Sequence, residues 1–412
     1  MTRLLNGYRV VELSVLLNGA TTGMMLADLG ADVVKVESPF LGDYIRIPST
    51  AHLHAQVNKN KRSVTIDLGK DAGRGVLERL VASADVFVTN LLPRSLVKLG
   101  ADYAHLKTIN PALVYCQVTG FGVEGPLGNV PTHGQMMDAL AGALPGELGT
   151  DGLARARRPP RIRSGSLTVA GEGTATGAVY AALYVSAALA QPRGGRGCYL
   201  DVSATDAVIA SAWTAAIAQL NLPEKERWWL RDDAGRDTAR YQHYLAADGK
   251  FVMFCPEETK FWESFCDLVN RPDLKPRQSG YDLRVEIQKI IGSHDRQHWI
   301  DLAVTHRLPI SPVNDGADEV RANEQIIARG LFVDAAAPNG EPFTYVGSPV
   351  LVSDQPVTTP KPAPALGADT ASVLRELGYR DEEIAMFDSE QVTSATHQVT
   401  DYISEQIHTD GR

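Results

Sequence analysis

The chain has 412 residues, 44% of them hydrophobic and 22% charged, a composition that fits a folded globular protein and excludes disorder as the main state. Its 40 Lys and Arg against 49 Asp and Glu leave a formal charge of −9. That balance excludes a broad nucleic-acid-gripping surface, which needs cations to neutralise phosphates, and leaves room only for a local basic pocket.

Met1–Leu13 carries charges in its first turns and no continuous apolar core, so no signal peptide is expected there. The pattern then alternates short β-branched runs with helical stretches. Arg9–Leu13 reads as a strand, Thr21–Leu29 as a helix and Asp32–Val36 as a strand. The rhythm returns with strand Ser63–Leu68, helix Gly75–Ala82, and strands Asp85–Val88 and Leu113–Val118. Nearly continuous apolar strands separated by helices predict an α/β fold, a doubly wound parallel sheet covered on both faces.

Residues 126–165, rich in Gly, Pro and Arg, read as a long loop region around a helix at Met136–Leu144. A helix of small residues is expected at Gly177–Leu189, then a strand at Cys198–Val202. Ala178–Ala190 is the most apolar stretch; it is shorter than the roughly 20 residues that span a bilayer, so a buried helix and no membrane are expected. A second unit begins near Tyr241, where two runs flank Asp248-Gly249 as in a hairpin. Helical patterns fill Glu258–His306, Gly347–Pro364 reads as extended, and Thr370–Leu377 and Asp381–Phe387 close the chain as short helices. Cys116, Cys198, Cys255 and Cys266 stand singly, which predicts a reducing, cytoplasmic setting with no disulfide framework and no zinc site. Cys116, at a strand end with no activating neighbour, reads as core.

Several segments, in order, resemble the family III (CaiB/BaiF) CoA-transferases: Leu26–Glu37, Asn60–Val64, Ala84–Val88, Gly120-Phe121-Gly122, Gly195-Arg196-Gly197, Asp248-Gly249-Lys250, Pro309–Asp315 and Ala365-Leu366-Gly367. The resemblance implies an interlocked dimer with a Rossmann-like large domain built from residues 1–215 and 326–412, a linker at 216–240 and a smaller α+β domain at 241–325. It implies transfer of CoA from an acyl-CoA to a free carboxylic acid through an aspartyl anhydride and an aspartyl-CoA thioester. CoA thioesters are then substrates, with no permanent cofactor and no metal. By position it puts CoA contacts at Asn18, Arg46, Lys61, Arg62, Asn90 and Lys98, and a substrate contact at His133.

The pattern breaks where it matters most. Counting back from Gly195-Arg196-Gly197 puts the family's nucleophilic Asp at Gly173, and the nearest carboxylate is Glu172, one residue early. The acidic position after His133 is Gly134, which leaves no opposed pair of bases and argues against racemase chemistry. Leu92 and Ser38 stand where family residues would favour CoA phosphates. Some members of the family are built from two homologous subunits of which one carries the complete site, as in the α2β2 enzymes of toluene breakdown that move CoA from succinyl-CoA to benzylsuccinate. The expectation is that this chain is the incomplete partner of such a homologous catalytic subunit. The alternatives are a self-sufficient homodimer using Glu172 and a non-catalytic acyl-CoA-binding protein. The arginine-rich Arg155–Arg163 segment could clasp phosphates or dicarboxylates, or be a solvated loop, and Trp228-Trp229 could pack between interlocked chains.

Overall fold

Val10, Val33, Val86 and Val114 point to one side of their strands, and Val11, Val34, Phe87 and Tyr115 to the other, and all eight are buried. Strands covered on both faces explain the unbroken apolar runs. The computed structural model describes residues 2–156, 172–191, 195–226, 235–356 and 358–393. Most of the arginine-rich segment and both Trp228 and Trp229 lie outside the described residues.

The strands of the first half are β1 (Arg9–Leu13), β2 (Asp32–Glu37), β3 (Arg62–Thr65), β4 (Val86–Thr89), β5 (Val114–Thr119), the short pair β6 (Gly146–Leu148) and β7 (Ala154–Ala156), and β8 (Cys198–Ser203). Six of them form one parallel sheet in the order β3-β2-β1-β4-β5-β8. The order reverses between β1 and β4, which defines a switch point at their carboxyl ends. Helices between the strands are α1 (Asn18–Asp28), α2 (Ala51–Val57), α3 (Asp71–Ala82), α4 (Pro93–Leu99), α5 (Tyr103–Ile109), α6 (Met136–Leu140), α7 (Glu172–Ala190) and α8 (Ala204–Ser211). Leu26 of α1 and Ala181, Val185 and Leu189 of α7 pack on one face of the sheet. Leu77 and Leu80 of α3 and Leu106 of α5 pack on the other.

α7 starts at Glu172, five residues before the Gly177 that the sequence suggested. Its first turns are built of small residues because α8 lies close: a Cβ on Gly177 would fall 3.0 Å from Ala204 Cβ. The longer helix also corrects the estimate that this segment is too short to span a bilayer, since Gly173–Ala190 is long and apolar enough by length and composition. Ala181, Val185 and Leu189 bury part of that apolar surface against the sheet, and Val179, Leu183 and Tyr184 leave another part exposed.

The described residues up to Ala212 and from Glu324 onward form one unit, and those within Trp213–Asn323 a second. The second unit contains α9 (Trp213–Asn221), the antiparallel strands β9 (Gln242–Leu245), β10 (Phe251–Phe254) and β11 (Ile310–Val313), and helices α10 (Thr259–Leu268), α11 (Tyr281–Ile291), α12 (Arg296–His306) and α13 (Gly316–Ala322). Its core gathers Phe254, Trp262, Phe265 and Trp299. The chain returns to the first unit with α14 (Glu324–Arg329), the unforeseen hairpin β12 (Phe332–Ala336) and β13 (Pro342–Val346), α15 (Thr370–Glu376) and α16 (Asp381–Ser389). This return seals the edge strand β3. The Asp369 N–H donates to Ser63 O at 2.9 Å, the Ser63 N–H to Asp369 Oδ2 at 2.9 Å, and the Thr65 N–H to Thr370 Oγ1 at 3.1 Å.

Candidate active site

Ligands of open parallel sheets bind outside the carboxyl ends of the strands, at the switch point. A crevice of about 220 Å³ lies there, lined by Ser14 and Val15 after β1, Ser38 after β2, Gly69 after β3, Leu91 after β4, and Leu99 of α4. The loop after β1 is held open by side chains from afar. Asn90 donates from Nδ2 to Val15 O at 2.6 Å and accepts the Val15 N–H on Oδ1 at 3.0 Å. Asp43 accepts the N–H of Leu16 at 2.9 Å, and Leu16 sits at φ +60°, a left-handed conformation that a leucine adopts only when its surroundings impose it.

Beneath this loop lies a buried ionic network. Lys35 reaches Glu12 at 2.8 Å and Asp43 at 3.0 Å, Lys61 reaches Glu12 at 2.7 Å, and Arg46 forms a two-pronged pair with Glu37 at 2.8 and 2.6 Å. Three cations thus meet three carboxylates, which is how charges survive burial. Burial raises the Glu12 carboxyl, but the Lys35 and Lys61 ammoniums outweigh it and hold it below the ordinary range. Burial likewise opposes ionisation of Glu37, yet Arg46, Lys35 and the Ser63 hydroxyl bring it down to about 2. Lys61 goes the other way: desolvation, only partly offset by Glu12, lowers it to about 8. His54, also buried and beside the Arg46 charge, falls to about 3 and is neutral. Helix α1 passes so close above Glu12 that a Cβ on Gly23 would lie 1.9 Å from Glu12 Oε2.

The residues expected from sequence to contact CoA do not gather in one place. Asn90 lies beside the crevice, and Asn18 opens α1 at the same end of the sheet, its Oδ1 buried without a partner among the described residues. Lys98 is exposed one residue before Leu99, which lines the crevice. Arg46 and Lys61 are committed to Glu37 and Glu12, and Lys61 also donates to Ala20 O at 2.8 Å and Asn58 Oδ1 at 3.0 Å. Arg62 lies at the amino end of the sheet, paired with Glu376 at 2.7 Å and near Asp32 at 3.5 Å. His133 is exposed in the turn before α6, where its carbonyl accepts the Met136 N–H. Cys116 is buried in β5, where desolvation pushes its thiol up to about 12, so it offers no thiolate.

Gly173, the position expected to carry the nucleophile, is buried in the first turn of α7. Its N–H donates to Asp138 Oδ1 at 2.9 Å, and Asp138 itself is buried in α6. Sequence reasoning passed over Asp138. Its one signal is a lone acid inside the apolar run Met136–Leu140, which any helix start nearby could explain.

Residues 5–370 match the profile described as CoA-transferase family III. The chain is 31% identical to the succinate–glutarate CoA-transferase of Agrobacterium fabrum over 90% of its own length and 95% of that protein. It is 28% identical to the succinyl-CoA:glutarate CoA-transferase of Mus musculus, over 92% of this chain and 87% of that one. Among solved structures, a CAIB/BAIF family protein from Brucella suis superposes with a TM-score of 0.69 at 27% identity, covering 92% of this chain and 100% of that one.

Proposed function

This chain belongs to CoA-transferase family III, and from that premise we propose that it moves CoA from succinyl-CoA to a free dicarboxylic acid. The observation that carries the reading is the crevice at the β1/β4 switch point, opening between the ends of four parallel strands, with its Val15 wall held by Asn90. Glutarate, named for the A. fabrum and mouse relatives, and aromatic succinates such as benzylsuccinate are the acceptor classes to be tried. CoA thioesters enter as substrates, and neither a metal nor a resident cofactor takes part. The setting is the cytoplasm, without membrane or nucleic-acid partners. On this reading Asn18, Asn90 and Lys98, which stand near the crevice without lining it, contact CoA, and His133 contacts the acid.

The chain works as an interlocked dimer, in which residues 1–215 and 326–412 make the large domain and 241–325 the small one. Exposed Leu183 and Tyr184 on α7, and exposed Trp213, Ile217 and Leu220 on α9, favour an apolar interface. Gly173 favours an α2β2 arrangement with a homologous subunit that carries the family Asp. A second reading, in which this chain provides its own carboxylate, is favoured by Asp138 beside Gly173.

The test is CoA exchange from succinyl-CoA to glutarate or benzylsuccinate, followed by chromatography of the CoA esters. The purified chain is assayed alone and after co-expression with a homologue. Exchange in either preparation is expected, and its absence from both would refute the reading.

A further inference from the structure

We infer that Asp138 is the carboxylate on which this chain carries the acyl group and then CoA, an inference that rests on the transferase reading above. Exchanging a thioester between two acids without loss to water is served by a protein carboxylate that holds the activated carbon between them. Such a group needs hydrogen-bond donors aimed at the charge and shelter from solvent.

Asp138 has both. It is 3% exposed, and Oδ1 accepts the Gly173 N–H in the first turn of α7, where the helix dipole favours negative charge. Oδ2 is buried with no partner among the described residues. A helix-capping role uses Oδ1 and leaves Oδ2 unexplained, and an idle buried carboxylate oxygen is expensive. The space at position 173 is already taken. A Cβ built on Gly173 would lie 2.9 Å from Met137 Cβ and 3.3 Å from Asp138 Oδ1, so a side chain at 173 would need α6 to shift, and the glycine lets the Asp138 carboxylate sit against the first turn of α7. The acid missing from α7 is supplied from α6.

The steps balance as follows. Asp138 Oδ2 attacks the thioester carbonyl carbon, the C–S bond breaks, and CoA leaves as its thiolate, giving an anhydride between Asp138 and the donor acid. The thiolate attacks the Asp138 carbonyl carbon and expels the donor carboxylate, which leaves an aspartyl-CoA thioester. The acceptor carboxylate attacks that carbon and frees the thiolate, forming a second anhydride. The thiolate then attacks the acceptor's carbonyl carbon, so the acceptor departs as its CoA thioester and Asp138 regains its electron pair. No water, proton or oxidant is consumed. Access to Oδ2 requires α6 to shift, and α6 is suited to do so: it spans five residues, has no side-chain cap at Gln135, and keeps Met136 and Leu140 on the outside.

The full-length protein, alone and with a co-expressed homologue, is incubated with succinyl-CoA and hydroxylamine, digested, and mapped by mass spectrometry beside Asp138→Asn. The asparagine retains Oδ1 for the Gly173 N–H, so its melting temperature should match the wild type. The expected result is a hydroxamate on Asp138 of the wild type and a loss of CoA exchange of about 1000-fold or more in Asp138→Asn. A hydroxamate on Glu172 or only on the homologue overturns the assignment while the transferase reading stands. Turnover of Asp138→Asn within about tenfold of wild type does the same. Absence of CoA exchange to glutarate and benzylsuccinate in both preparations overturns both. If Asp138→Asn fails to fold, the wild-type map decides alone.

Discussion

Replacing Lys61 with methionine tests whether the network under the β1 loop is structural. Methionine has nearly the same length and is apolar, so Lys61→Met opens little cavity. It removes the 2.7 Å pair to Glu12 and the hydrogen bonds to Ala20 O and Asn58 Oδ1, leaving Glu12 buried with Lys35 and Ser14 as its remaining partners. Breaking one side of a buried ion pair costs about 3–5 kcal/mol, against about 5–15 kcal/mol of total stability for a typical protein. Urea unfolding followed by circular dichroism should therefore show a large drop in midpoint. Adding Glu12→Gln should recover part of the loss, with a coupling of roughly 1–3 kcal/mol, because the unpaired charge is removed as well. If Lys61→Met keeps its midpoint to within about 1 kcal/mol and merely raises the KM for succinyl-CoA, Lys61 is a phosphate ligand and the structural reasoning is refuted.

Four further outcomes follow from the structure. Unfolded His54 takes a proton near its ordinary value, whereas the folded residue refuses it until about pH 3, so stability should fall by roughly 3 kcal/mol between pH 6.5 and pH 4, and His54→Leu should flatten that slope in pH-dependent denaturation. Glu37, depressed to about 2, adds a loss of the same sign below about pH 4.5, seen as a steeper acid limb that Glu37→Gln removes. Asn90→Ala deletes both hydrogen bonds to Val15 and should cost about 1–3 kcal/mol, with faster amide exchange at Val15 and Leu16. Gly23→Ala should fail to give stable soluble protein, because its methyl would meet Glu12 Oε2, whereas Gly75→Ala on open surface should leave the thermal melt unchanged or raise it.

The parallel sheet was legible because burial on both faces writes each strand as an apolar run, and β1 was placed at its observed bounds, Arg9–Leu13. The hairpin β12–β13 was not, since its strands are half-exposed and Ala335, Ala336 and Pro342 blur the alternation. The start of α7 was misjudged because Gly173, Thr174 and Thr176 read as loop residues, while close packing against α8 selects small side chains there. The cations were the least legible feature. Arg62 was grouped with Asn90 by position, yet its partner Glu376 lies 314 residues away, and no local pattern announces such a pair. Asp138 went unseen for a related reason: it meets Gly173 35 residues later, across a segment with no fixed spacing to read.

The sealing of β3 by Asp369 and Thr370 bears on how the protein is made. A ribosome delivers the amino end first, and β1 to β5 emerge early with most of their own helices. The outer rim of β3 then stays a bare row of peptide groups, open to another nascent strand, until more than 300 further residues have been translated. A second unit of 111 continuous residues, Trp213–Asn323, has time to fold during that wait. Synthesis arrested between Ser203 and residue 369 should therefore yield a six-stranded sheet with an open, aggregation-prone β3 edge, so Asp369 and Thr370 act as a late-arriving guard on the earliest-made part of the fold.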